Sequence, residues 1–320
     1  MIWKKIGRIF DPTTFNDGIE RYWMKQFAQC TSTLIFDNFV RIYFSSRPIY
    51  KENEQAISYT GFIDVQRNDL TKIIKVSPNP VLPLGKLGTF DEFAVYPTSV
   101  IRDSEKVYLY YAGWSRKESV PFDTSIGLAI SHDDGETFER IGDGPLISSS
   151  LHEPFVLSGP KIRKFNDTYY LFYLSGIEWV MGTKPEIIYK NRLAISKDGF
   201  NWEKLNYNII SDKLGKLECQ AGPDVFYLNG KYHMYFVYRE GLDFRKTRGR
   251  GYKIGYAYSY DLINWVRDDE NAGIDYSESG WDDSMHHYPH VFELDGNYFM
   301  LYNGNEFGKY GFGLAILKND

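Results

Sequence analysis

The sequence predicts an all-β fold, a five-bladed β-propeller whose ring is closed by an N-terminal strand completing the last blade. Three observations carry this prediction. A four-strand pattern recurs five times, its aromatic second strands recur at near-constant intervals, and the last repeat lacks a fourth strand that the N-terminus can supply.

The second strands read Arg41-Ile-Tyr-Phe-Ser-Ser-Arg47, Tyr108-Leu-Tyr-Tyr-Ala-Gly-Trp114, Tyr170-Leu-Phe-Tyr-Leu-Ser-Gly176, His233-Met-Tyr-Phe-Val-Tyr-Arg239 and Phe299-Met-Leu-Tyr-Asn-Gly-Asn305. Aligned on Tyr43, Tyr110, Phe172, Tyr235 and Leu301, they are spaced by 67, 62, 63 and 66 residues. Before each lies a strand led by Thr31, Pro97, Pro160, Pro223 or Pro289. Asn229-Gly230 and Asp295-Gly296 join first to second strands, as expected of two-residue hairpin turns, whose backbone needs positive φ.

Third and fourth strands follow as Ile126–Ser131 with Phe138-Glu-Arg, Arg192–Ser196 with Trp202-Glu-Lys, and Ile254–Ser259 with Trp265-Val-Arg. The fifth repeat ends at Gly313–Leu317 without a fourth strand, while Trp3-Lys-Lys-Ile-Gly-Arg resembles the fourth strands elsewhere. The expectation is one domain over 1–320, with blades at about 28–84, 91–147, 153–210, 218–274, and 283–317 completed by 2–9. Such closure removes two exposed sheet edges.

Composition agrees with a large, strand-rich core: 43% hydrophobic residues, 26 Tyr and 22 Phe. A net charge of −5 with dispersed Lys and Arg argues against nucleic acid as a partner. The basic run 245–250 reads as a solvated loop, with contact to an anionic ligand as the alternative. Two cysteines, Cys30 and Cys219, make no disulfide framework. With no signal-peptide core and no apolar run long enough to span a bilayer, the expectation is a cytoplasmic protein without membrane contact. No motif for a metal or cofactor stands in a supporting context, so neither is expected.

Blades two to five each carry a carboxylate five to seven residues before the leading proline: Asp91 and Glu92, Glu153, Glu218, and Asp282 and Asp283. Blade one has Gln26 and Gln29 there instead. Residues just before the innermost strands rim one mouth of a propeller funnel, where ligands bind. A ring of acids in that place suits glycoside chemistry, which needs one protonated carboxyl and one ionised one. Further rim candidates for a sugar are Gln29, Arg47, Trp114, Trp179, Arg239, His286, His287 and Asn303. The alternative for each acid is a loop brace paired with Arg or Lys.

The chain resembles the five-bladed glycosidase propellers: glycoside hydrolase families 43, 32 and 68 and the mannoside phosphorylases. It resembles more closely a group of bacterial polysaccharide-locus proteins and the propeller domain of plant inositolphosphorylceramide glucosaminyltransferases. The motifs carrying this are Ala28-Gln29 with Arg41–Arg47, Leu87-Gly-Thr-Phe-Asp-Glu92, Gly280-Trp-Asp282, and Leu301–Asn305 with Gly311–Ala315. The family 43 resemblance implies Asp91 as base, Glu153 as modulator and Glu218 as acid, one blade out of the usual register. Glu218-Cys219 is also similar to the acid-bearing Glu-Cys motif of family 32. The expectation is therefore a glycoside-processing enzyme acting on a small glycan or activated sugar. The alternatives are a noncatalytic glycan-binding propeller and a phosphorylase using Arg47, Arg239 and the His pair for phosphate.

Overall fold

The structure, a computed structural model, describes residues 1–49, 57–245 and 247–318. Its strands form five antiparallel four-stranded sheets. Blade one comprises Gln26–Ile35, Phe39–Arg47, Tyr59–Gln66 and Asp69–Val76; blade two Ala94–Asp103, Lys106–Ser115, Asp123–Ser131 and Glu139–Arg140. Blade three comprises Leu157–Phe165, Thr168–Met181, Pro185–Ser196 and Glu203–Lys204; blade four Cys219–Leu228, Lys231–Arg239, Lys253–Ser259 and Val266–Arg267. Blade five is His287–Leu294, Asn297–Asn303 and Phe312–Leu317, completed by Trp3–Phe10. The first strands adjoin one another in a closed ring around the axis.

The N-terminal strand is well anchored. Trp3 lies opposite Leu317 and Phe10 opposite Phe312. The buried Trp3 indole donates to the Tyr235 hydroxyl at 2.8 Å, and its backbone N–H donates to the Gly273 carbonyl at 2.9 Å. Asn229-Gly230 and Asp295-Gly296 adopt positive φ (48° and 81°, 51° and 75°), the turn that matches strand twist.

The leading residues do not begin their strands. Each sits inside the first strand at a break in register: Gln29/Ser32, Pro97/Ser99, Ser158/Lys161, Ala221/Asp224 and His287/His290. Proline has no N–H to give the ladder, so a bulge is where a strand tolerates it. Past the bulge, first-strand side chains bond the next blade's backbone. Ser32 Oγ accepts from the Val100 N–H at 2.8 Å, Ser99 Oγ from the Ile162 N–H at 3.0 Å, and Asp224 Oδ2 from the Val291 N–H at 2.9 Å. His290 Nε2 accepts from the Thr33 N–H at 3.1 Å, completing the seam between blades five and one.

Among the described residues no helix is long and apolar enough to cross a membrane.

Candidate functional site

Four of the six predicted acids, one in each of blades two to five, are blade braces. Asp91 accepts from Arg140 and Tyr111, Glu153 pairs with Lys204 and accepts from Tyr173, and Asp282 pairs with Lys5 and accepts from Tyr302. Glu218 pairs with Arg267 at 2.6 Å and accepts from the Gln220 amide and the Lys213 and Leu214 N–H groups, each at 2.8 Å. In every case the cation comes from the blade's fourth, outermost strand. The expectation that Asp91, Glu153 and Glu218 converge on the funnel is thereby corrected: none of them lines the cavity described below.

Blade one, which has no acid, also lacks the fourth-strand cation, whereas blade four keeps its acid and cation with Phe236 at the tyrosine position. The position of Tyr111, Tyr173 and Tyr302 is Phe44 in blade one, and the position of Arg140, Lys204, Arg267 and Lys5 is Val76. A carboxylate there would be buried without a partner, at a cost of several kcal/mol. Glu218 is also in the wrong state for an acid. Burial alone would raise its pKa, but Gln220 and Arg267 hold it below the usual glutamate range, whereas a general acid needs a raised one.

The funnel holds a cavity of about 510 Å³ at the start of the first strands and the end of the second. Its backbone is bent to present side chains. The residue before the leading position is left-handed in four blades: Cys30 (φ 58°), Gly159 (63°), Gly222 (57°) and Tyr288 (49°). Glycine adopts this freely, but Cys30 and Tyr288 do so under strain, and that conformation sets both on the cavity wall. Phe307, also left-handed at φ 60°, lies on the wall, its carbonyl accepting from the Gln29 amide at 2.5 Å.

One wall is aromatic. Tyr96 stacks on Trp114 (5.2 Å between centroids, 17°), Trp114 on Phe122 (4.6 Å, 22°), and Trp179 meets Phe122 edge-on at 5.6 Å. The Trp114 indole N–H and the Thr98 and Thr124 hydroxyls are buried here without a hydrogen-bond partner among the described residues. The charged groups on the wall are mostly cationic. Arg47, Arg116, Lys161, Lys184, Arg239 and Arg245 line the cavity, while Glu186 is the one carboxylate among the described lining residues and pairs with Arg245.

At the floor, Lys161 Nζ donates to the Thr31 carbonyl at 2.9 Å and lies 3.2 Å from His290 Nδ1. Because His290 Nε2 accepts from Thr33, its proton sits on Nδ1 and goes to Asp224 at 2.8 Å. Burial lowers His290 to about 3 and Lys161 to about 8. Asp224 stays ionised: burial opposes it, but Arg163, Lys161 and His290 outweigh burial.

Of the rim residues expected from sequence, Gln29, Arg47, Trp114, Trp179, Arg239 and His287 do meet at this cavity. Glu92, Asp282, His286 and Asn303 do not. Glu92 accepts from the Gly88 N–H, and His286 is buried beside Asp282 and Lys5. Asn303 donates to the Ala28 and Gly311 carbonyls, both at 2.7 Å. Arg245 is exposed, as expected of a solvated loop, and also lines the cavity mouth; Lys246 of the same run lies outside the described residues. Sequence reasoning missed Tyr96, Lys161, Tyr288, Tyr189 and Tyr252. The repeat held the signal, since the first three flank leading prolines and the last two stand 63 residues apart, the spacing of blades three and four. Among the described residues no group of three or more His, Cys, Asp or Glu is placed to hold a metal ion.

Five such sheets around a ligand-sized funnel make this a five-bladed β-propeller. The family model described as the glycosyl hydrolases family 32 N-terminal domain matches residues 82–278, and the chain belongs to that family. "Uncharacterized protein Rv1502" of Mycobacterium tuberculosis is 35% identical over 320 residues, all of both chains. The β-1,2-mannobiose phosphorylase of a Thermoanaerobacter species is 27% identical over 51% of this chain and 54% of its own. Among solved structures, a glycoside hydrolase is 16% identical with a TM-score of 0.75, covering 99% of this chain and 92% of that one. The Bombyx mori family 32 β-fructofuranosidase BmSUC1 is 17% identical with a TM-score of 0.61, covering 90% and 58%. At these identities the structural likeness shows the fold alone.

Proposed function

We propose that the funnel binds an anionic sugar and that the protein serves glycan metabolism by holding that sugar, not by hydrolysing glycosides with a carboxylate pair. The wall composition carries this reading: among the described lining residues, stacked aromatics stand beside six cations and one carboxylate, Glu186, which pairs with Arg245. Aromatic faces suit the apolar face of a sugar ring, and the cations suit a phosphate or carboxylate on it. Hydrolysis needs two carboxyls flanking the scissile bond, and the lining described above supplies one. The buried free thiols Cys30 and Cys219 support a reducing, cytoplasmic setting.

The test pairs two measurements. Product release is followed from a panel of aryl glycosides and nucleotide sugars, with and without phosphate, and binding is followed by tryptophan fluorescence. The expected outcome is saturable binding without hydrolysis, weakened roughly tenfold in Trp114→Ala. Phosphate-independent hydrolysis abolished by Glu218→Gln would overturn the reading. Phosphorolysis is the second reading, favoured by the phosphorylase relatives, and it would appear as turnover that requires phosphate.

A further inference from the structure

We infer that Arg239, Tyr189, Tyr252 and His287 form a subsite that seats a phosphate group carried by the sugar. This rests on the anionic-sugar reading above and names the group and its place.

Arg239 is 2% exposed and lines the cavity. Its Nη1 donates to the Glu240 and Gly241 carbonyls at 2.7 and 3.1 Å, and its Nη2 to the Tyr189 hydroxyl at 3.0 Å. The Phe244 ring covers one face, 3.5 Å from the guanidinium carbon. The Nε–H has no acceptor among the described residues. The groups that could offset the charge are Tyr189, Tyr252 and Cys219. Burial pushes Tyr189 and Cys219 above their usual range, so they stay neutral. A buried guanidinium with no carboxylate partner is costly unless an anion completes it.

The neighbours are donors too. The Tyr189 and Tyr252 hydroxyls bond each other. Since Arg239 also donates to Tyr189, one of the two phenolic protons is left without an acceptor among the described residues. His287 Nδ1 accepts from the Tyr288 N–H at 2.9 Å, which puts the proton of the neutral ring on Nε2. The ring packs 3.8 Å from that of Tyr252, and burial, reinforced by Arg239, keeps it uncharged. The Arg239 Nε–H, a phenolic O–H and the His287 imidazole N–H thus belong to residues that line one cavity beside a fixed positive charge. Such a set of donors suits a multi-oxygen anion, and a phosphate offers more oxygens to them than a carboxylate does.

The experiment has two arms. In the first, inorganic phosphate is titrated against chloride at matched ionic strength while thermal unfolding of wild type, Arg239→Met and Arg239→Lys is recorded. In the second, calorimetry compares hexoses, hexose 1-phosphates and hexuronates. Phosphate is expected to raise the melting temperature of wild type alone, and a hexose 1-phosphate to bind roughly 10- to 100-fold tighter than its hexose. Both variants should lose that margin. Should Arg239→Met fail to fold, Arg239→Lys and Tyr189→Phe carry the comparison. A wild type indifferent to phosphate, a margin unchanged in the variants, or hexuronates binding as well as the phosphates would overturn the assignment. Phosphate protection that depends on Arg239, with no sugar bound, would keep the subsite and refute the sugar reading instead.

Discussion

Replacing Glu218 with glutamine separates a brace from a catalyst. The carboxylate is fully buried and accepts four hydrogen bonds, from Arg267, Gln220 and the Lys213 and Leu214 N–H groups. A glutamine turns its own N–H₂ toward two of these donors and removes a counter-charge from Arg267, which keeps Asp269 at 2.9 Å. Breaking a buried pair costs about 3–5 kcal/mol, and the remaining Asp269 sets the expectation at about 3 kcal/mol. For a 320-residue chain the unfolding entropy is about 0.7 kcal/mol/K, so the melting temperature should fall by roughly 4 °C. Circular dichroism during thermal and urea unfolding measures the fall, and fluorescence titration at a temperature where both proteins are folded measures ligand binding. Binding should be unchanged. A Glu218→Gln protein with wild-type stability and abolished binding or turnover would refute the reasoning and return Glu218 to the chemistry.

Trp3→Ala should cost about 3–5 kcal/mol, the usual range for a buried tryptophan, because Trp3 ties the closing strand to Tyr235 in blade four; a urea midpoint matching wild type would show that the ring does not depend on this anchor. Stability should also fall between pH 6.5 and 5. His286, His287 and His290 are buried with lowered pKa values, so as pH drops through about 6.5 the unfolded chain takes up protons that the folded one refuses. Each contributes a slope of up to about 1.4 kcal/mol per pH unit. Glu218 and Asp282, with folded pKa values below their unfolded ones, lose their contributions only below about pH 4.5. Urea midpoints at pH 7.5 and 5 that coincide would contradict the buried, neutral histidines.

The architecture was legible in the chain because blades are local. Each hairpin is written in consecutive residues, with Asn229-Gly230 and Asp295-Gly296 naming their own turns, and the match of Trp3–Arg8 to other fourth strands told where the ring closes. Part of the rim was legible as well: Gln29, Arg47, Trp114, Trp179, Arg239 and His287 lie at repeat positions that face the axis. The roles of the acids were not. Asp91, Glu153 and Glu218 sit at the register of a funnel rim, but a carboxylate takes the partner that neutralises it, and each blade's fourth strand brings Arg140, Lys204 or Arg267 within reach. Sequence alone established the repeat and its closure, since these rest on local turns and strand periodicity. Only the tertiary structure decided which charges are paired and which, like Arg239, are buried without a carboxylate partner among the described residues, because burial and pairing depend on residues brought together from distant parts of the chain.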